Sequence, residues 1–275
     1  MSKRPLTALL FAVAGAIAVA LMTQLPQAPA QAPPPAMLPS GRFVDLTHSF
    51  DKRTIYWPTA RRFRLKEVAE GETDQGYYYA ANDFSAAEHG GTHLDAPVHF
   101  ARGRQTSDRI PLERFVGPAA VIDVSKAAAA NRDYQVSVGD LTRWERANGT
   151  LPTDAIVLLR TGYGKFWPNR KKYMGTDERG MKAVAKLHFP GLAPAAARWL
   201  VANRRIKAIG LDTPSIDYGQ SKLFLSHRIL FAKNIPAFEN VANLDQVPAR
   251  GALFIGLPMK IRGGSGGPLR AMAIV

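Results

Sequence analysis

The sequence predicts a mixed α/β domain with a dominant, partly antiparallel sheet. Six short apolar runs have the length of strands and outnumber two helical patterns, and most of the 20 prolines fall in the connections between them. More strands than helices in this order favour a sheet-dominated α/β fold. The predicted strands are residues 43–46, 119–124, 155–159, 206–211, 252–257 and 271–275.

Several of these runs are continuously apolar, for example Ala-Ile-Val-Leu-Leu at 155–159. A strand with one face in water alternates apolar and polar residues, whereas a strand covered on both faces does not. We therefore expect the middle of the sheet to be buried on both sides.

Two helices are predicted from their end signals. Residues 137–140 (Ser-Val-Gly-Asp) are a capping sequence, Leu141 and Trp144 follow on one face, and Gly149 ends the pattern. A second helix is expected to begin near Pro194, a residue favoured in the first turn.

The first thirty residues are predicted to be a signal peptide. Lys3 and Arg4 precede an apolar run at 8–22, and Ala-Pro-Ala at 28–30 has the small-x-small form of a cleavage site. The run is short for a membrane span, so we expect a periplasmic or secreted protein with no stable membrane span after cleavage. An uncleaved N-terminal anchor is the alternative.

Residues 31–41 are rich in Pro and Ala, which is typical of a flexible lead-in, and residues 42–275 are predicted to form one domain. The chain has no cysteine, which excludes disulfides, thiolate ligands and a lipidated anchor.

The formal net charge of +14 raises the question of a nucleic-acid partner. The basic residues are scattered in pairs and one triplet, without an aromatic and basic recognition motif. We therefore expect no nucleic-acid binding and interpret the charge as a basic surface.

Half of the six histidines lie in one segment of eleven residues, 89–99, together with Asp95. The spacing of His89 and His93 fits the helical His-Glu-x-x-His zinc proteases, but Gly90-Gly91 disfavours a helix and the glutamate is missing. We predict instead a turn followed by a short extended stretch, in which His93 and Asp95 point the same way.

Two imidazoles and a carboxylate make a three-ligand site that leaves positions for water, as a hydrolytic Zn²⁺ or Mn²⁺ centre requires. The predicted ligands are His89, His93 and Asp95, and His99 beside them suits general acid/base work. For any single histidine the alternative is a hydrogen-bonded core residue. Thr92 either orients a ligand or caps the turn.

Aromatic residues near this segment are candidate walls of a substrate pocket, in particular Trp57 and Phe84. They are equally typical of ordinary core or edge positions.

Two other chemical motifs are rejected. The glycine-rich run 263–267 fits Gly-x-Ser-x-Gly, but no Asp or His follows Ser265 to complete the triad order of that hydrolase family, so we interpret it as a glycine loop. Gly162 and Gly164 begin a dinucleotide fingerprint, yet Trp167 stands at the third glycine position.

Residues 89–100 resemble the signature of the cyclase-like metal-dependent hydrolases, which include bacterial kynurenine formamidase and isatin hydrolase. His-Gly-Gly-Thr-His-Leu-Asp-Ala-Pro-Val-His-Phe matches His-x-Gly-Thr-His-x-Asp-Ala-Pro-x-His-Phe at each defined position. Further matches lie at residues 45–47, 159–162, 210–217 and 227–240. The resemblance implies a swivelling β/β/α fold, a bound divalent metal and hydrolysis of an amide carbon-nitrogen bond.

By the same resemblance His89, His93 and Asp95 bind metal and His99 is the catalytic acid/base. His227 and Glu239, twelve residues apart, correspond to ligands of a second metal that Asp95 would bridge. The resemblance thus implies one or two ions per chain. Considered without it, this pair is equally typical of surface or capping residues.

These observations predict a metal-dependent hydrolase that cleaves an aryl formamide or a cyclic amide with metal-activated water and a histidine acid/base. The partners predicted are a small-molecule substrate and other copies of the chain in a homo-oligomer. The alternative is a non-catalytic periplasmic protein that binds a metal or another ligand on the same scaffold.

Overall fold

The computed structural model describes residues 40–275. The predicted signal peptide (1–30) and nearly all of the predicted lead-in (31–41) lie outside the described residues. Within the described range, no helix is both long and apolar enough to cross a bilayer.

Residues 40–275 contain twelve strands and six α-helices, joined by loops and short 3-10 turns. The strands are β1 (Phe43–Asp45), β2 (Arg64–Glu72), β3 (Tyr78–Ser85), β4 (His93–Asp95), β5 (Val116–Asp123), β6 (Gln135–Val136), β7 (Ala155–Arg160), β8 (Gly191–Leu192), β9 (Ile206–Leu211), β10 (Ala237–Glu239), β11 (Leu253–Pro258) and β12 (Gly266–Ile274). The helices are α1 (Ser125–Ala130), α2 (Val138–Asn148), α3 (Arg170–Met174), α4 (Met181–Val184), α5 (Pro194–Asn203) and α6 (Leu225–Phe231).

The main sheet is barrel-like. Eight strands run in the order β1-β12-β11-β5-β7-β9-β10-β4, and β12 also pairs with β4, which closes the sheet on itself. The pairs β5–β7, β7–β9 and β9–β10 are parallel, and the remaining pairs of this sheet are antiparallel. The predicted mixed, partly antiparallel sheet is therefore confirmed.

Strand β7 shows why the central apolar runs are continuous. Val157 and Leu159 join the core cluster that includes residues of α2, α5 and α6. Ile156 and Leu158 join a second core cluster built largely from the other strands, including Phe238 and Phe254. Because both faces are covered, no polar residue is needed at alternate positions.

The six predicted strands and both predicted helices are present. Helix α2 begins after Ser137, whose Oγ accepts a hydrogen bond from the Asp140 backbone N–H, and it ends at Gly149. No sequence signal predicted the β2–β3 hairpin, β10 or α6. The hairpin is exposed along nearly its whole length, so it lacks the apolar pattern on which strand prediction depends.

The short strand β4 carries the histidine motif and lies between β10 and β12. In this register His93 stands opposite Glu239 on β10 and opposite Pro268 on β12. Asp95 stands opposite Ala237 and Gly266. Closure of the sheet thus brings residues from three distant parts of the chain to one place.

Candidate active site

Seven of the eight predicted site residues line one cavity of about 300 Å³. The cavity opens beside β4, and its remaining walls come mainly from the segment before the hairpin and from the region around α6. The seven residues are Trp57, His89, His93, Asp95, His99, His227 and Glu239.

The turn before β4 is made possible by Gly90 and Gly91. Gly91 has φ +60°, and a Cβ there would lie 2.5 Å from the Phe50 ring. A Cβ on Gly90 would lie 2.0 Å from the ring of Tyr56, which forms an isolated β-bridge with it. No larger residue fits either place. The turn lets His89 and His93 approach the same carboxylate, in agreement with the non-helical geometry predicted for the motif.

Asp95 lies at the centre of the site. Its Oδ1 is 2.6 Å from His89 Nδ1 and 3.1 Å from His93 Nε2, and its Oδ2 is 3.3 Å from His227 Nε2. Glu239 closes the group, with Oε1 3.1 Å from His227 Nε2 and Oε2 3.6 Å from His93 Nε2. One carboxylate therefore stands between the His89–His93 pair and the His227–Glu239 pair.

Hydrogen bonds on the outer ring nitrogens orient two of these imidazoles. His93 Nδ1 donates to the Gly91 carbonyl oxygen at 2.9 Å, and His227 Nδ1 donates to Asp217 Oδ2 at 2.6 Å. Each Nε2 therefore faces the carboxylates, where it carries a proton in the protonated ring and a lone pair for a cation in the neutral ring. His93 Nε2 is buried, and no residue between 40 and 275 completes a hydrogen bond with it. A buried ring nitrogen without a hydrogen-bond partner is suited to bind a cation.

The charges in the cluster are buried, since Asp95 and His227 are 2% exposed and Glu239 is 3% exposed. Burial raises the pKa of Glu239, and the neighbouring Asp95 charge raises it further. Burial also opposes ionisation of Asp95, but the charge of His89 and hydrogen bonds from the surrounding imidazoles hold its pKa well below the usual value. The donor set of imidazole and carboxylate fits a divalent cation such as Zn²⁺ or Mn²⁺.

His99 stands at the edge of the cluster, and one of its ring nitrogens lies within 4.8 Å of ligand atoms of His89 and Asp95. Its ring stacks on His89 with centroids 3.8 Å apart, and its Nε2 is 4.0 Å from Asp95 Oδ2, beyond hydrogen-bond range. Burial lowers the pKa of His99 to about 4. The imidazole is therefore neutral at pH 7 and can accept a proton.

Aromatic rings form one wall of the cavity. Phe100 lies 5.0 Å from Phe224 and 4.6 Å from the His227 ring, measured between centroids. Trp57 meets Phe224 edge to face at 6.4 Å. An apolar wall beside a polar cluster suits a small aromatic molecule with one reactive polar group.

Phe84 is the predicted pocket residue that the fold places elsewhere. It lies on β3, is 56% exposed and stacks on Phe63 at 6.0 Å. The hairpin carries it away from the cavity of its own chain, although it precedes His89 by only five residues.

The turn is held by Thr92, for which this was one of two predicted roles, and by Asn240 and Tyr173, for which it was not predicted. The Asn240 amide donates to the Gly91 carbonyl oxygen at 2.7 Å and accepts from the Tyr173 hydroxyl at 2.9 Å. Thr92 Oγ1 donates to the Asn240 carbonyl oxygen at 2.7 Å and accepts from the His48 backbone N–H at 2.9 Å. Of the two roles considered for Thr92, these contacts favour fixing the backbone of the turn.

Comparisons with known proteins identify the family to which the chain is similar. The family described as "Putative cyclase" matches residues 44–218. Isatin hydrolase of Roseibium aggregatum is 31% identical over 86% of this chain and 88% of its own length. Kynurenine formamidase of Salinibacter ruber is 29% identical over 83% of this chain and 95% of its own. The structure of isatin hydrolase A from Labrenzia aggregata has a TM-score of 0.76 and 36% identity, covering 85% of this chain and 93% of that protein. The predicted resemblance is confirmed.

Replacing Gly266 with Ala is expected to lower the free energy of unfolding by about 1–3 kcal/mol. The new Cβ would lie 2.4 Å from the Leu94 carbonyl oxygen and 2.6 Å from His89 Cε1. Gly267→Ala is the matched control, because its nearest contact would be 3.3 Å. Urea denaturation measures both variants, and equal unfolding midpoints would contradict the tight packing of β12 on β4.

Proposed function

This chain belongs to the putative cyclase family, and we propose that it hydrolyses an amide bond attached to an aromatic ring, in an aryl formamide or a cyclic amide. Its relatives named isatin hydrolase and kynurenine formamidase make it a hydrolase of carbon-nitrogen bonds other than peptide bonds. The observation that carries the proposal is the position of His99, a neutral imidazole beside the Asp95 cluster in an aromatic-walled cavity.

We propose that His89, His93 and Asp95 hold a divalent cation, Zn²⁺ or Mn²⁺. Asp95, His227 and Glu239 are suited to hold a second cation. His227 Nε2 lies 3.3 Å from Asp95 Oδ2 and 3.1 Å from Glu239 Oε1, distances similar to the 3.1 Å between His93 Nε2 and Asp95 Oδ1. When bound, such a cation supplies Lewis-acid chemistry, which lowers the pKa of water toward neutrality and stabilises negative charge on a carbonyl oxygen.

The aromatic side chains bind the ring of the substrate. Trp57, Phe100 and Phe224 offer apolar faces, and the polar groups of the cavity converge on Asp95. A substrate with its ring against these faces directs its amide toward the cluster. The apolar wall also excludes bulk water, which strengthens the electrostatic interactions of the reacting groups.

His99 moves the proton. As water adds to the amide carbonyl carbon, the ring of His99 accepts a proton from that water. The imidazolium then donates this proton to the leaving nitrogen while the carbon-nitrogen bond breaks, and a carboxylic acid and an amine are formed. A neutral His99 at pH 7 can begin this cycle, since its pKa is about 4.

Changing His99 to Ala is expected to reduce the rate of hydrolysis by about 10²–10⁴-fold. The cation is expected to stay bound, because His99 is not one of its three proposed ligands. His188→Ala is the matched control, since His188 pairs with Asp133 outside the cavity. The assay uses isatin, N-formylkynurenine and simple formamides, with cation content measured on the same samples.

If His99→Ala kept full activity, the proposed proton transfer would be wrong. If the unaltered protein bound a cation but turned over none of these compounds, the non-catalytic alternative would be supported instead. Preference for isatin over the formamides, or the reverse, separates the two substrate classes.

We also propose that a second copy of the chain covers the β2–β3 hairpin. The hairpin makes few contacts beyond its own two strands, and an isolated two-stranded ribbon is only marginally stable. Several large apolar side chains of the hairpin are more than 50% exposed, a pattern typical of an interaction surface. These residues are Leu65, Val68, Tyr77, Tyr78, Tyr79 and Phe84.

The distribution of charge indicates that the partner covering the hairpin is another copy of the chain. The hairpin, residues 64–85, carries five acidic and two basic side chains, whereas the chain as a whole has a net charge of +14. An acidic ribbon is thus attracted to the basic surface of a second copy, and a symmetric pair satisfies both ribbons at once.

The unaltered protein is therefore expected to be at least a dimer at micromolar concentration, and Leu65→Glu is expected to shift it toward the monomer. Leu112→Glu is the matched control, because Leu112 is 70% exposed and lies outside the hairpin. Sedimentation velocity distinguishes the states. A monomeric unaltered protein, or equal effects of the two substitutions, would overturn the assignment of this surface.

A further inference from the structure

The glycine-rich run 263–267 lies beside the His89 ring, and its Ser265 is within hydrogen-bond distance of that ring. Ser265 Oγ is 2.9 Å from His89 Nε2, the ring nitrogen opposite the one that faces Asp95. The same Oγ is 2.5 Å from Glu88 Oε2, which also accepts from the Ser265 backbone N–H at 3.0 Å. Glu88, Ser265 and His89 thus form a continuous chain of hydrogen bonds.

The surrounding backbone is fitted closely to this chain. A Cβ on Gly264 would lie 2.8 Å from both Glu88 Oε1 and Ser107 Oγ, and a Cβ on Gly266 would lie 2.6 Å from the His89 ring. Any side chain at either position would displace Glu88 or His89. The two glycines that flank Ser265 therefore let its hydroxyl reach both partners.

The direction of the hydrogen bonds follows from the groups involved. The Glu88 carboxylate only accepts, so the Ser265 hydroxyl donates to it and keeps a lone pair for the proton on His89 Nε2. When a cation is bound and the ring is neutral, its proton is therefore on Nε2 and its lone pair on Nδ1, on the side of Asp95. His93 and His227 are oriented in the same manner by Gly91 and Asp217, through their other ring nitrogens.

We propose that Glu88 and Ser265 are positioning residues that fix the ring orientation and tautomer of His89, and so set the affinity of the site for its divalent cation. The inference rests on the proposed cation site and adds two residues that the histidine motif does not include. Partners of this kind, outside the ligands themselves, typically change metal affinity by about 10–100-fold when removed.

The alternative role for Ser265 is that of a catalytic nucleophile. Asp95, His89 and Ser265 are connected in the order of a catalytic triad, with 2.6 Å and 2.9 Å between successive partners. Two observations disfavour Ser265 as a nucleophile. Ser265 does not line the cavity that holds His99 and the aromatic wall, and its hydroxyl also has the Glu88 carboxylate as a partner.

The test measures cation affinity in the full chain, without reference to turnover. Metal-free unaltered protein, Ser265→Ala, Glu88→Gln and the double variant are titrated with Zn²⁺ against a chromophoric chelator. Ser107→Ala is the matched control, because Ser107 Oγ donates to the Ile261 carbonyl oxygen in the same loop without contacting His89. Thermal unfolding verifies that each variant is folded, and the visible spectrum of the Co²⁺-loaded protein reports the ligand geometry.

We expect Ser265→Ala to bind Zn²⁺ about 10–100-fold more weakly with an altered Co²⁺ spectrum, and Ser107→Ala to bind as the unaltered protein does. Glu88→Gln is expected to lose less, since its amide oxygen still accepts from Ser265. The double variant should be no weaker than Ser265→Ala, because the two residues act through one chain of hydrogen bonds.

Equal Zn²⁺ affinity in Ser265→Ala and the unaltered protein would overturn the inference, as would additive losses or an equal loss in Ser107→Ala. Loss of hydrolysis in Ser265→Ala with unchanged affinity would also overturn it and favour a nucleophilic serine. Failure of the unaltered protein to bind Zn²⁺, Mn²⁺ or Co²⁺ would instead contradict the proposed cation site itself.

Discussion

Burial of the Asp95 carboxylate is the constraint on which the site depends. A buried charge is costly unless it is paired, and Asp95 is surrounded by His89, His93 and His227 at 2.6–3.3 Å. The second buried carboxylate, Glu239, adds repulsion that only protons or a cation can balance. The cluster is thus electrostatically suited to a divalent ion, and the neutral His99 beside it is available for the proposed proton transfer.

The same constraint connects the site to the fold. Strand β4 has only three residues, but it pairs on both sides, with β10 and β12. Because side chains alternate along a strand, a shift of one residue would turn His93 and Asp95 into the barrel and Leu94 into the cavity. Leu94 is fully buried in the core and opposes that shift. Sheet closure therefore determines which face of the motif meets the substrate.

Most of the sheet and the centre of the site could be predicted because their signals are local. The central runs are continuous where both faces are covered, and α2 carries its capping residues in sequence. The proposed ligands His89, His93 and Asp95 lie within seven residues, so spacing alone indicates a cluster. The hairpin had no such signal, because neither of its faces packs on the core of its own chain.

The parts that could not be predicted depend on contacts between distant segments. Ser265 is 176 residues from His89, and Asn240 is 149 residues from Gly91. Only closure of the sheet through β12 and β10 brings these segments together. Phe84 shows the converse. It is close to the motif in sequence, but it lies on strand β3 of the hairpin and does not line the cavity.

The most direct test of the account is the location of the bound cation in crystals of the metal-loaded protein, by anomalous diffraction at the metal edge. We expect a peak about 2.0–2.3 Å from His89 Nδ1, His93 Nε2 and a carboxylate oxygen of Asp95. A peak near His227 and Glu239 as well would establish two ions. No peak at Asp95, in a protein that hydrolyses its substrate equally well after chelation, would contradict the account.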